Sequence, residues 1–323
     1  MTVKSKAFFA AMAAVAAFAT LPAHGQSGAY PSKPIRLIVP AATGGSLDLI
    51  ARSVGQKATE GLGQPVIVEN KPGAAFAIGT DFVAKSPADG YTILVTSTPH
   101  GMNPAIKSNL PYDTVKDFTA ISLLATIPQL LVVNAGVPVS NLQEFVRLAK
   151  SRPMAYGSVG AGSPNHLSAE LLKDLAQIEL THVPYKGTGP ALTDLIGDRI
   201  QFMSVDMTSA SPFLKSGKIK PLAVATAQRV PGLDIPTTAE AGYPGYEVTS
   251  WYAVFGPAGM PAAVTSRLNE EIVKGLSDPV LRERFAALGA TVVGSSPAEL
   301  DRHVRAEIAR WTKTAKAAKI TVD

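Results

Sequence analysis

Three glycine-rich turns, each between a predicted strand and a predicted helix, contain the residues best suited to chemistry. They are Gly44-Gly-Ser46, Gly160-Ala-Gly-Ser163 and Gly187-Thr-Gly189. Glycine lets the backbone turn sharply and approach a ligand, and a helix start presents free N–H groups and the positive end of the helix dipole. Each turn alone is compatible with a tight connection that binds only water. Three in one chain favour helix starts that converge on a cleft and bind an anion.

Three polar residues beside these turns have two interpretations each. His166, in the first turn of a helix, is a candidate donor to a carboxylate or a structural histidine. Asp48 is a candidate general base, or it pairs with Arg52 four residues later or caps its helix. Asp206, at the end of a predicted strand, is placed either to bind an amino or hydroxyl group of a ligand or to cap the next helix.

Catalysis is the main alternative to binding. A secreted hydrolase would use Ser46 or Ser163 as a nucleophile at a helix N-terminus, with a base at hydrogen-bond distance that a third group orients. The only base adjacent to either serine is His166, three residues after Ser163 on its own helix. A dinucleotide site is disfavoured because Asn165 stands where the third glycine of the fingerprint belongs. The residues therefore favour a binding protein that is not an enzyme.

Alternating strands and helices position these turns. The apolar run at residues 35–39 predicts a buried strand, and Ser46 is a good N-cap for the helix that follows. A parallel sheet covered by helices is the expected result, with ligands at the carboxyl ends of its strands. Further strands are predicted at residues 66–69, 92–96, 130–133, 154–158, 180–184, 200–205, 222–225, 251–255 and 291–293, and helices at 75–85, 141–150, 165–176, 209–215, 262–276, 279–288 and 297–319.

The predicted elements form two series, which indicates two lobes. Residues 26–127 and 249–323 are assigned to lobe 1, and residues 128–248 to lobe 2. The chain crosses between them near residues 125–129 and again near 248–251. Two crossings make a natural hinge for a clamshell that closes on its ligand.

The N-terminal pattern and the composition predict a secreted protein that does not bind nucleic acid. Residues 1–25 combine Lys4 and Lys6 with an apolar run and small residues before Gln26, the pattern of a cleaved secretory signal peptide. The sequence has no cysteine, which excludes disulfides and thiolate metal sites. Its 30 basic and 25 acidic residues are too nearly balanced to indicate nucleic acid. We expect a soluble, monomeric periplasmic protein without a cofactor.

The sequence contains a set of short motifs whose order and spacing resemble those of the substrate-binding proteins of the tripartite tricarboxylate transporter system, the Bug family. The resemblance covers nearly the whole mature chain. It rests on Tyr30-Pro-Ser-Lys-Pro-Ile-Arg-Leu-Ile-Val-Pro40, Gly44-Gly-x-x-Asp48, Ala51-Arg52, Leu62-Gly-Gln64, Val68-Glu-Asn70, Asp89-Gly-Tyr91, Leu110-Pro-Tyr-Asp113, Gly157-Ser-x-Gly-x-Gly-Ser163 with His166, Leu167 and Glu170, Val183-Pro-Tyr-Lys-Gly187, Pro236-Thr-x-x-Glu-Ala-Gly242 and Trp251-Tyr252.

The resemblance implies an α/β fold: a two-lobe, periplasmic-binding-protein-like (type II) clamshell, or Venus flytrap, each lobe a mainly parallel sheet covered by helices. It implies that the protein captures a small organic carboxylate and delivers it to a membrane permease. A loaded receptor for a sensor kinase is an alternative with the same ligand chemistry. Carried over residue by residue, the ligand-binding set is Gly44, Gly45, Ser46, Asp48, Ser158, Gly162, Ser163 and His166, with Lys186, Gly187 and Asp206 less securely placed.

Two departures from the family pattern add residues to this set. The first loop contains Ala41 and Thr43 where the family has an aromatic residue and a proline, and a later turn contains Ala75 and Phe76 where the family has glycines. Lys186 is the only cation near a predicted site turn, so a trianion such as citrate would bury uncompensated charge. We therefore expect a mono- or dicarboxylate, with Phe76 as an apolar wall.

Overall fold

The computed structural model describes residues 30–230, 232–287 and 289–322. The predicted signal peptide, residues 1–25, lies outside the described residues. Residues 33–323 form one compact unit.

The described residues contain ten strands in a single sheet. In chain order they are β1 (Ile35–Val39), β2 (Val66–Asn70), β3 (Thr92–Ser97), β4 (Phe118–Asn134), β5 (Ala155–Ser158), β6 (Thr181–Pro184), β7 (Phe202–Asp206), β8 (Ile219–Val224), β9 (Thr249–Pro257) and β10 (Thr291–Val292). Ten α-helices accompany them: α1 (Ser46–Leu62), α2 (Ala77–Ala84), α3 (Pro99–Ile106), α4 (Leu142–Ser151), α5 (Pro164–Ala176), α6 (Thr188–Ile196), α7 (Met207–Lys215), α8 (Ala262–Leu276), α9 (Pro279–Ala287) and α10 (Pro297–Ala317).

The sheet order is β2-β1-β3-β9-β4-β7-β5-β6, with β8 and β10 also paired to β4. Strands near both ends pair in parallel, as β1 does with β2 and β3, and β5 with β6 and β7. The central strands β4 and β9 run antiparallel to all of their neighbours. The α/β class is confirmed, but the sheet is mixed where mainly parallel lobes were expected. The reason is that β4 and β9, which join the two ends, run against the flanking strands instead of closing right-handed crossovers.

Strand β4 changes partners in its middle. Up to Pro128 it pairs with β9, whose Thr249 is opposite Pro128, and from Gln129 onward it pairs with β7 and β8. The sequence predicted only residues 130–133 of this 17-residue strand, because Pro128 and Gln129 interrupt its apolar pattern. The assignment of residues 26–127, 128–248 and 249–323 to lobes stays a prediction.

Helix α10 packs against both hydrophobic clusters that flank this change of partners. Its first half contributes Leu300 and Val304 to a cluster with Trp251 on β9. Its second half contributes Trp311 and Ala315 to a cluster built on β5, β7, α4 and α5. The terminal helix therefore holds the two ends of the sheet together.

Helix α3 is the element that the sequence missed entirely. Its eight residues include Pro99, Gly101 and Pro104. In a sequence read without a structure, proline and glycine are signals of turns and loops. Pro99 occupies the first turn, where proline is tolerated. A Cβ added to Gly101 would lie 3.2 Å from the Cβ of Glu307, so glycine permits close contact with α10. Tertiary packing determines this helix, and local propensity does not.

Candidate ligand-binding site

The start of helix α1 is open to an anion. Gly45 is its N-cap, with extended backbone (φ −81°) and no side chain to satisfy the first amides. Thr43, Gly44 and Gly45 are exposed, whereas Leu47 and Ile50 bury the helix in the core. N–H groups at the start of a helix have no intrahelical partner, so this turn can accept a carboxylate.

Asp48 holds this turn in place. Its buried carboxylate accepts hydrogen bonds from Gly44 N, Arg52 Nε and Asn70 Nδ2, each at 3.0 Å. Asn70 Nδ2 also donates to Ala41 O at 3.0 Å. Burial disfavours the charge, but the hydrogen bonds from Arg52, Gly44 and Asn70 outweigh it and lower the pKa of Asp48. Asp48 was placed among the ligand-binding residues; its geometry is that of the alternative, an i,i+4 pair that orders the loop.

Tyr252 brings residues from both ends of the sheet together. Burial raises the pKa of the Tyr252 hydroxyl to about 12; nearby Asp206 also raises it, and nearby Ser46 lowers it. Asp206 is the N-cap of α7, accepting from Ser209 N and Ser209 Oγ, both at 2.8 Å. The structure thus gives Asp206 the capping role, beside the start of α1.

The second predicted loop is satisfied largely by its own hydrogen bonds. Ser163 Oγ donates to Gly160 O at 2.7 Å and caps His166 N at 3.3 Å. Gly162 N donates to His166 Nδ1 at 2.9 Å. Ser158 is fully buried, and its Oγ lies 2.6 Å from His182 Nε2. The loop is ordered before any ligand arrives, and His166 has the structural role that was its alternative.

The third predicted turn is less constrained. Gly187 is the N-cap of α6 with no side-chain cap, and Lys186 is exposed. Of the three predicted helix starts, α1 and α6 therefore keep free amides, and α5 is capped by Ser163.

These contacts also test the hydrolase alternative. Ser163 Oγ donates to a carbonyl, and His166 accepts from a backbone amide. Ser46 contacts Tyr252. Neither serine is paired with a base, and the serine that is close to a histidine, Ser158, is inaccessible to a substrate.

Two stacked histidines make the second loop sensitive to acid. The rings of His166 and His182 are 4.0 Å apart at 12°. Burial, followed by the neighbouring His182, lowers the pKa of His166 to about 4; Glu170 opposes this shift and Lys173 adds weakly to it. Burial also lowers the pKa of His182. Both rings are neutral at pH 7, which leaves Nδ1 of His166 free to accept from Gly162.

We therefore expect the protein to lose stability as the pH falls from about 6.5 towards about 4. The unfolded histidine titrates near 6.5 and His166 near 4, so the unfolded chain binds more protons in this window. Melting temperatures measured across it should fall, and His166→Gln should flatten part of the slope. His100, His182 and His303 also have lowered pKa values and contribute to the same slope, and carboxylates with lowered pKa values, such as Asp48 and Glu69, add to it near pH 4. A slope unchanged in the variant would contradict this assignment.

Residues from two predicted loops line one cavity of about 270 Å³. Ala75 and Phe76 lie on one side, and Gly162 and Ser163 on the other. Ala74, Ala75 and Phe76 all have positive φ (47°, 51° and 79°), a conformation that is costly for residues with a Cβ. Asn103 Nδ2 donates to Ala75 O at 2.9 Å and stabilises this turn. Larger grooves, such as one of about 420 Å³ beside Lys57 and Asp278, have mainly charged and polar walls.

Several residues of this region were not in the predicted set. Asn103 lies in α3, the unpredicted helix, and Lys107 is its C-cap; no local signal indicates either residue. Asn70 and Tyr252 lie in motifs that carried the family resemblance, so their place near the site could have been predicted from the sequence.

Among the described residues, no three His, Asp or Glu side chains are grouped as a metal site would need. Within the same residues, no helix has the length and apolar character to cross a bilayer.

Comparison with known proteins identifies the class. Residues 50–320 match the model of the tripartite tricarboxylate transporter family receptor. Protein BugT of Bordetella pertussis is 35% identical over 287 residues, 87% of this chain and 88% of BugT. The structure of R. palustris Rpa4515 with adipate is 38% identical with a TM-score of 0.77, covering 90% of this chain and 99% of that one. MatC from Rhodopseudomonas palustris with bound malate is 33% identical with a TM-score of 0.73, covering 88% and 99%.

The fold and the matched family define a solute-binding receptor of the periplasmic-binding-protein type, not an enzyme. The chain belongs to the tripartite tricarboxylate transporter receptor family, which includes the Bug proteins. The resemblance noted from its motifs is confirmed.

Proposed function

We propose that this protein is a periplasmic binding protein that captures a small organic carboxylate and delivers it to a tripartite tricarboxylate-type permease. One observation carries the proposal: the exposed, uncapped start of α1, ordered in advance by Asp48. Two similar proteins have solved structures with adipate and with malate, which supports a carboxylate ligand. A cleaved signal peptide at residues 1–25 and a monomeric state remain part of the proposal.

In this proposal the carboxylate meets the amides of Gly45 and Ser46 at the start of α1. Preorganised N–H donors bind an anion without a neighbouring cation. Because the loop is already ordered, binding loses no free energy to ordering the loop or to side-chain entropy. Ala41, Thr43 and Gly44 shape the same loop. The turn at Ala75 and Phe76 and the loop from Ser158 to Ser163 form the facing walls, and Gly187 and Lys186 lie at the rim.

Ligand binding is proposed to close two lobes about residues 125–129 and 248–251. The change of partners in β4 at Pro128 and Gln129 lies in the first of these segments, and β9 begins in the second. A carboxylate that contacts both sides favours the closed form by its differential affinity.

Thermal-shift screening of the mature protein against mono-, di- and tricarboxylates tests the function. A ligand at about 100 times its Kd stabilises the protein by about 2.7 kcal/mol, a readily measured shift. We expect a mono- or dicarboxylate to rank above citrate, and mass analysis after prolonged incubation to recover it unchanged. Stabilisation by no carboxylate, or turnover of the bound acid, would contradict the proposal.

A further inference from the structure

Helix α10 has two faces of opposite character. The inward face is buried and contains Leu300, Val304, Glu307, Trp311 and Ala315. The opposite face is exposed along the whole helix, and we call its residues the basic stripe: Arg302, Arg305, Ala306, Ala309, Lys313 and Lys316. At 3.6 residues per turn these side chains fall within an arc of about 100°. Cations and small residues therefore make up one continuous outer face.

Most cations of the basic stripe have no counter-ion within the protein. Arg305 pairs with Asp301 one turn earlier, at 2.8 Å. Within the described part of the chain, no carboxylate forms an ion pair with Arg302, Lys313 or Lys316. Glu299 acts on Arg302 only electrostatically, since Ser296 holds its carboxylate at the helix start. Three positive charges on one face are thus available to an anionic partner.

The shape and composition of the basic stripe suit a flat charged surface. Arg302 and Lys316 are about 21 Å apart along the helix axis at 1.5 Å per residue. Ala306 and Ala309 lie between them, so no bulky side chain holds a flat partner away from the cations. The stripe contains no aromatic or large apolar residue of the kind that anchors a specific protein interface, and lysine is depleted from such interfaces.

We propose that the basic stripe of α10 is a docking surface for a membrane that contains anionic phospholipids. The charges are complementary, because four or more basic residues on one helix face are typical of binding to anionic headgroups. Each cation near such a membrane contributes roughly fivefold to the affinity. The proposal does not depend on which ligand the protein carries.

Docking through the basic stripe leaves the candidate ligand site uncovered. Successive side chains of a strand point to opposite faces of the sheet. On β9, Trp251 points towards α10 and donates to Glu307 at 3.1 Å, whereas Tyr252 lies on the other face, near Ser46 at the start of α1. No residue of the stripe lines the cavity beside Phe76. One molecule is therefore able to hold a membrane and a ligand together.

Flotation with lipid vesicles tests the docking, using the chain without residues 1–25. We expect the protein to bind vesicles of equal parts phosphatidylcholine and phosphatidylglycerol at low ionic strength, and not vesicles of phosphatidylcholine alone. Salt at about 1 M should release it, because the screening length falls to about 3 Å.

A pair of triple variants locates the binding surface. Arg302→Gln with Lys313→Gln and Lys316→Gln should weaken vesicle binding by roughly 100-fold, the product of three fivefold losses. The matched control removes the same charge from exposed positions on other elements, with Arg147→Gln, Lys215→Gln and Lys218→Gln. The control should bind vesicles nearly as well as the wild type. Both variants should keep the wild-type melting temperature, because every substituted side chain is exposed.

Three results would overturn the proposal. The first is a wild type that does not bind the anionic vesicles. The second is an equal loss in both triple variants, which would show that net charge drives adsorption and the basic stripe does not. The third is binding of poly-glutamate, but not of vesicles, that only the α10 variant loses, which would identify an acidic protein segment as the partner. Carboxylate binding is measured separately by thermal shift, so its failure is distinguishable from each of these.

Discussion

Replacing Gly45 with aspartate should abolish carboxylate binding and leave the protein at least as stable as the wild type. Gly45 has φ −81°, and a Cβ there meets nothing within 4 Å, so the folded chain accepts a side chain. Aspartate is a preferred N-cap, whose side chain bonds the N–H of Leu47 or Asp48, and its charge beside the amides of Gly45 and Ser46 would repel the ligand's carboxylate from them. Losing two hydrogen bonds to a charged group costs about 3–6 kcal/mol, or more than 100-fold in affinity.

Gly45→Asn is the matched control for charge. Asparagine caps a helix about as well as aspartate but carries no charge, so it should weaken binding less than aspartate does. Both variants should melt at or slightly above the wild-type temperature. Calorimetry that finds full affinity in Gly45→Asp would place the ligand elsewhere and overturn the site.

Replacing Glu307 with leucine should destabilise the protein by about 3–5 kcal/mol, the usual cost of removing one partner of a buried ion pair. Glu307 is 5% exposed. Oε2 accepts from Trp251 Nε1 at 3.1 Å and Trp311 Nε1 at 2.9 Å, and Oε1 accepts from Arg310. Leucine would leave two buried indole donors without a partner, and the Arg310 guanidinium would keep its hydrogen bond to Glu247 O but lose its ion pair.

Glu307→Gln separates hydrogen bonding from charge. Its amide oxygen can still accept from the indoles, so we expect a smaller loss of about 1–2 kcal/mol, since only the pairing with Arg310 is removed. Urea denaturation followed by circular dichroism gives both values. Equal losses for the two variants would show that the charge, and not the indole hydrogen bonds, stabilises this junction.

The alternation of strands and helices was predictable because apolar runs indicate buried strands and glycine-rich turns indicate the helix starts that follow them. The start of α1 was predictable to within one residue, because Gly44, Gly45 and Ser46 are contiguous, but the N-cap is Gly45 and not Ser46. Helix α3 was not, because Pro99 and Pro104 obscure a helix that tertiary packing stabilises. Asn103 and Lys107 line the cavity beside Phe76, and without that helix neither could be placed there.

The hydrogen-bond partners of the second-loop residues could not be predicted from the sequence either. Ser158, Ser163 and His166 have the right types to bind a carboxylate, and only the structure reveals that they bind the loop itself. His182, which completes that loop, is on a different strand. A residue type limits which bonds are possible, but the fold decides which are made.

The indoles that bond Glu307 give the unmodified protein an intrinsic fluorescence probe. The sequence contains two tryptophans, both fully buried and both bonded to this carboxylate. Trp251 lies on β9 opposite Thr126 of β4, and Trp311 belongs to the cluster built on β5, β7, α4 and α5. Neither lines the cavity beside Phe76. All indole emission therefore originates where the two ends of the sheet meet, and a change in its wavelength during titration would report motion there without a label.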